Sequence, residues 1–254
     1  GLDAQLVQGK PASLTAYVWG ESLLKDRAIL GAAITYAMRD ATGAEAPVEI
    51  MTTTVGEDEP ISWNERLLPV MVLMSIVMAG SLVPASSLVD EKQKRTLKAL
   101  ITTPASTGDV FLAKGLLGII VSLGMGILIL VLNQAFGSQP LVLVGILGLG
   151  ATLAAAFGVL LGALMRDINT LFTTVKAIGI LLYAPAIVYL FPAIPPWIGR
   201  LFPTYYMVAP VVEISLRGAR WPDVMQEVLI LIGLIVLLLG AVLLAGRRMR
   251  EREV

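Results

Sequence analysis

The sequence predicts an all-α polytopic membrane protein with five visible transmembrane helices, six expected in the full chain, and a partial α/β extracytoplasmic domain at the N-terminus. Three observations predict it. Of 254 residues, 56% are hydrophobic and only 15% charged, with a mean hydropathy of +0.81; a soluble domain this long needs more charged residues to cover its surface. Five stretches reach the roughly 20 apolar residues that cross a hydrocarbon core at about 1.5 Å per residue. Lysine and arginine gather in alternate connections between those stretches, as sidedness in a membrane requires.

The composition also excludes chemistry. Formal net charge is zero, so no global basic surface argues for nucleic acid. With no cysteine, disulfides, thiolate catalysis and iron–sulfur ligation are out. With no histidine, the usual general base and the commonest transition-metal ligand are missing. No catalytic residue, metal ligand or cofactor is therefore assigned to this chain. The only Gly-Lys pair, Gly9-Lys10, runs into Pro11, so there is no phosphate-binding loop.

Residues 1–66 read as the partial extracytoplasmic domain and 67–254 as the membrane domain. Gly1–Lys10 lacks the charged-then-apolar pattern of a signal peptide. Ser13–Trp19 alternates as a half-buried strand does, with Leu14, Ala16 and Val18 on one face. Glu21–Asp40 places Leu23, Leu30, Ile34 and Met38 near helical spacing. Pro47–Val55 is rich in β-branched residues and ends at the acidic turn Gly56–Pro60, which predicts a second strand. A strand, a helix and a strand are too little to close a core, so further sequence upstream is expected.

The spans are expected at about 67–89, 111–136, 141–165, 170–191 and 228–246. Gly137–Pro140 and Arg166–Asn169 are short enough to force antiparallel hairpins. Lys92, Lys94, Arg95, Lys98, Lys114, Arg166, Arg247, Arg248, Arg250 and Arg252 all fall on one side once the spans alternate. That side is expected to be cytoplasmic, with the C-terminus inside and residues 1–66 outside. A polar segment exported ahead of the first visible span needs a helix upstream of Gly1, which would restore six spans. The expected setting is a bacterial or archaeal inner membrane.

Between the first two spans, Asp90–Pro104 combines strong helix formers with an apolar set at Leu97, Leu100 and Ile101, and Pro104 ends the pattern. Ser106-Thr107-Gly108-Asp109 then has the spacing of an N-terminal cap for the next helix. From pattern alone, the 90–104 segment is an interfacial helix with lysines among lipid headgroups, or a docking element for a cytoplasmic partner.

Glu91–Ser106 followed by Lys114 resembles the signature of ABC-2 type transporter permeases, approximately E-K-E-x-G-T-L-E-x-L-L-x-[ST]-P-[VI]-S and then a lysine opening the next span. The match covers Glu91, Lys92, Thr96, Leu97, Leu100, Pro104, Ser106 and Lys114. It departs at Gln93, at Arg95 where glycine is usual and at Lys98 where an acid is usual; these changes make the helix more basic and leave its apolar face intact. Ala12–Val18, Pro195-Pro196-Trp197 and Pro203–Tyr206 are similar to the subfamily with a large extracytoplasmic insert after its first helix. The resemblance implies a missing first helix and a permease that forms half of a dimeric pathway. It also implies a separate cytoplasmic ABC ATPase subunit that holds ATP and Mg. Glu91, Arg95, Thr96, Leu97, Leu100 and Pro104 become its expected contacts, on a coupling helix at about 90–104.

Other readings stay open. Gly80 and Pro84 are expected either to bend the first span or to serve passive packing. Ala154, Gly158 and Gly162 recur at four-residue spacing and permit close helix approach, either within one subunit or at a seam with a second permease subunit. Lys176 is expected to snorkel from its span, and Glu227 to sit as a charge at the N-terminus of the fifth span. Residues 192–223 are unusually apolar for a loop and are expected to be re-entrant or interfacial helices. The competing function is a standalone membrane assembly or sensor protein whose extracytoplasmic domain binds a ligand. The cargo is not written in the sequence.

Overall fold

A computed structural model describes residues 15–18, 24–42, 63–94, 96, 106–191 and 194–253. The chain divides into two units, Gly1–Ser62 and Trp63–Val254. In the first, helix α1 spans Leu24–Thr42 among the described residues, within the stretch where the pattern placed a helix. Gly31, Ile34 and Thr35 are half-buried, and the Thr35 hydroxyl donates to Gly31 O at 2.8 Å. The expected strand at 13–19 is not formed where it is described. Residues 15–18 are irregular, and Tyr17 and Val18 are both exposed, so the alternation has no buried face to serve. No strand occurs among the described residues, and the expected strand at 47–55 lies outside them.

The second unit is a helical bundle: α2 (Trp63–Gln93), α3 (Thr107–Leu132), α4 (Pro140–Leu164), α5 (Ile168–Leu190), a 3-10 helix (Pro196–Leu201), α6 (Tyr205–Arg217) and α7 (Trp221–Glu253). Five of these helices, α2 to α5 and α7, are long and apolar enough to cross a bilayer. Their boundaries follow capping chemistry more closely than hydropathy. α3 begins at Thr107 because Ser106 and Asp109 form a capping box, Ser106 N donating to Asp109 Oδ2 at 2.7 Å and Asp109 N to Ser106 Oγ at 3.2 Å. α5 begins after Asp167, whose carboxylate accepts from Thr170 N at 2.8 Å and Thr170 Oγ1 at 2.6 Å. The bond from the Thr170 hydroxyl, then that from its amide, hold the Asp167 carboxyl below its ordinary range. α7 starts seven residues before the expected 228, where Arg220 N donates to Asp223 Oδ2 at 2.8 Å. Asp223 is thus the first-turn acid, and Glu227 lies a turn further in, its Oε2 buried without a hydrogen-bond partner.

α4 is the most enclosed span, packed chiefly on α2 and also on α3 and α7. One core cluster joins Leu73 and Ile76 of α2, Leu143, Ile146 and Leu147 of α4, Val208 and Val211 of α6, and Leu231 of α7. Two smaller clusters fill the opposite end, one around Leu88, Phe111, Val159 and Val242 and the other around Ala85, Val89, Leu161 and Leu171. α3, α5 and α7 carry most of the exposed apolar side chains. α5 is the least apolar of the five spans although it is also sparsely covered, and Lys176 on it is exposed.

Between α5 and α7 the chain turns back among the spans. Thr204 Oγ1 donates to Leu182 O at 2.8 Å, about 12 Å inside the end of α5 at 1.5 Å per residue. Met207 fills the space over Gly150, where even a methyl group would collide with its side chain; Gly150 lies about 15 Å along α4 from Pro140. Ile214 O lies against Gly137, at the turn between α3 and α4. α6 therefore runs from mid-bundle depth back to the bundle end. The apolar character of 192–223 is divided between this buried helix and an exposed rim at Trp197 and Leu201.

Candidate functional site

Glu91, Lys92, Thr96, Ser106 and Lys114 lie at the end of the bundle where α2 and α4 finish, α3 and α5 start, and α7 passes Phe111 at Gly246. Helix propensity carries α2 through Asp90–Gln93 into this end, so successive side chains fan out about 100° apart around its axis. Asp90 points to solvent and pairs with Lys94 at 2.8 Å, an exposed pair that contributes little. Glu91 and Lys92 turn inward.

Glu91 Oε1 meets Lys114 Nζ at 2.5 Å, with both side chains only 21% exposed. Lys114 also donates to Ser87 Oγ at 2.8 Å. The pair ties the last turn of α2 to the second turn of α3. Glu91 Oε2 is buried and has no hydrogen-bond partner among the described residues. Lys92 Nζ reaches the opposite way and donates to Gly162 O at 2.6 Å, Ala163 O at 2.6 Å and Met165 O at 3.2 Å. Those are carbonyls at the C-terminal end of α4, where no amide of the same helix is left to serve them. A cation there also meets the negative end of the helix dipole.

Thr96 Oγ1 lies 3.2 Å from Glu91 O, to which it donates. Arg95, Leu97, Leu100 and Pro104 lie outside the described residues.

Gly80 and Pro84 sit mid-helix in α2, both buried. Pro84 has no amide hydrogen to give the Gly80 carbonyl. That carbonyl faces Gly118 of α3, where an added Cβ would lie 2.9 Å from it. The contact is a close helix crossing of the Cα–H to carbonyl kind. Ala154, Gly158 and Gly162 of α4 face the same helix. A Cβ on Gly158 would collide with Ser81 O and lie 2.8 Å from Pro84 Cγ, and one on Gly162 would lie 2.9 Å from Leu88 Cβ. Ala154 Cβ sits opposite Gly80 in the same way. The small-residue stripe of α4 is therefore covered by α2 within the chain. Ser122, fully buried in α3, adds a hydrogen bond to Ile76 O at 3.1 Å.

Sequence reasoning placed Glu91 among the partner contacts and did not anticipate its pairing with Lys114. The signal was available: an acid at the end of one span and a lysine opening the next belong to the same motif. Lys92 was readable as a basic residue in the last turn of a helix, but not that the helix it caps is α4.

No curated protein and no solved structure matches the chain. The family model for ABC-2 family transporter proteins matches residues 1–244. With five candidate spans and that match across nearly the whole length, the chain belongs to the ABC-2 family of transporter membrane proteins.

Proposed function

We propose that this chain is the permease subunit of an ATP-binding-cassette exporter, driven by a separate ATPase that docks on residues 90–106. ABC-2 permeases generally pair with such an ATPase, and ATP and Mg belong to that partner. The observation that carries the reading is the position of the motif. Its first residues close α2, its last open α3, and Glu91 and Lys114 tie the two helix ends together beneath the intervening segment. Lys92, Lys94, Lys114 and Arg166 gather at that end, which the positive-inside bias assigns to the cytoplasm. The opposite end, with the charge-free Gly137–Pro140 turn and the inward-dipping α6, then faces out. Residues 192–223 become a re-entrant segment whose backbone is shielded by α4, α5 and α7. A second permease subunit completes the pathway. Because α2 covers the small-residue stripe of α4, the seam lies on other spans.

Purification of the chain from its own membrane tests the reading. A P-loop ATPase is expected to co-purify, and Leu97→Asp is expected to abolish that association by burying a charge in the apolar docking face. A chain that purifies without any ATPase from cells expressing all of their own, or an undiminished complex with Leu97→Asp, would refute it.

A further inference from the structure

We propose that Glu91, Lys114 and Lys92 form a two-armed polar brace that makes the ends of α2, α3 and α4 move as one rigid block when the 95–105 segment is pushed. The inference rests on the ATPase-driven reading above and assigns these side chains a positioning role rather than contact with the partner.

The geometry is specific. Glu91 and Lys92 are neighbours on α2, so their side chains leave the helix about 100° apart. One engages α3 through Lys114 at 2.5 Å and the other engages three carbonyls at the end of α4. Ser87, one turn earlier on α2, receives the second bond of Lys114 and keeps its ammonium from swinging outward. Directly deeper in the bundle, Gly118 and Gly158 bring α3 and α4 against the α2 backbone so closely that a methyl group has no room. Steric contact resists compression of this triad, and the brace resists its spreading. Displacement at the α2 end thus passes into α3 and α4 without being absorbed by a hinge at the base of the segment. Nonpolar packing alone would keep the helices together and still let them slide; fixed ion pairs and carbonyl contacts set their register.

Because this sequence contains no cysteine, Ser138→Cys in the exposed turn at the far end of α3 and α4 supplies a thiol at a known position, read on this chain after the labelled subunits are separated. The test uses the ATPase complex reconstituted in vesicles and labels that thiol with a membrane-impermeant maleimide, with and without Mg–ATP. In complexes isolated assembled and hydrolysing ATP, E91Q/K114Q is expected to cut the ATP-dependent change in labelling rate by about fivefold or more, the lower end of coupling between linked sites. The charge swap E91K/K114E is expected to restore it. K92Q, which leaves the ion pair intact, is expected to lower the response on its own and keeps the proposal testable if the double variant does not assemble. K176Q, at an exposed lysine of α5 outside the docking segment, is the control and should leave the response unchanged. An unaltered response in E91Q/K114Q or in K92Q overturns the brace, as does a swap that recovers nothing. If the unaltered chain has no ATPase partner, the underlying reading fails with it, an outcome distinct from an assembled complex indifferent to these residues.

Discussion

Replacing Gly158 by alanine asks what holds α4 against α2. The added methyl group would run into the Ser81 carbonyl and stand 2.8 Å from Pro84 Cγ, and backbone and a proline ring cannot rotate aside. Overpacking of this kind costs about 1–3 kcal/mol, offset by the gain of about 0.5–1 kcal/mol from replacing glycine in a helix interior. The net loss, up to about 2.5 kcal/mol, lowers the melting temperature by up to about 10 °C, taking about 2–4 °C per kcal/mol for 150–250 residues. The matched control is Gly145→Ala on the same helix, where nothing lies within 4 Å of the new Cβ; it should be neutral or slightly stabilising. Thermal unfolding in detergent, followed together with size-exclusion elution, reads both variants. If Gly158→Ala melts no lower than Gly145→Ala, or changes the oligomeric state with no loss of melting temperature, the close packing of α4 on α2 is wrong and the stripe is a seam between subunits.

Ser106→Ala removes the capping box of α3 and should cost about 1 kcal/mol, read as faster amide exchange at Thr107–Asp109 with the rest of α3 protected. Thr204→Val keeps the shape but loses the bond to Leu182 O, worth about 0.5–1.5 kcal/mol; increased labelling of a cysteine placed at Trp197 would report that the inward-dipping segment has loosened. Asp167 caps α5 as a carboxylate with a lowered pKa in the folded state. Its contribution is therefore complete above the unfolded value of about 3.9 and is lost as pH falls through the lower folded value. Thr170 amide protection should persist at mildly acidic pH and fade only below the ordinary carboxylate range, and Asp167→Asn should flatten that dependence.

How much of this was legible depended on the kind of force at work. Spans declare themselves because burial in lipid demands apolar residues in unbroken runs, and all five were found. Their ends were displaced wherever polar residues continue a helix. Trp221–Glu227 is about two helical turns whose apolar run is broken by Asp223, Gln226 and Glu227, and Thr107–Val110 belongs to α3 through the Ser106 cap that the sequence did show. The strand expected at 13–19 is not formed at 15–18, because alternation is a signal only if one face is buried and those four residues are exposed. In the site, glycine spacing revealed that α4 approaches a neighbour closely, but not which one. The Lys92–α4 contact joins residues distant in the chain and no local pattern encodes it, whereas Glu91 and Lys114 belong to one motif that did not itself say that they pair.

The Lys92 contact also bears on how the protein is made. Chains enter the membrane from the N-terminus while still being synthesised, so α2 and α3 are available to pair before α4 exists. The three carbonyls that receive Lys92 are among the last parts of α4 to be synthesised. The Lys92 bonds can therefore form only once the end of α4 has been made, after the closer contacts of Ala154 and Gly158 with α2 are already available.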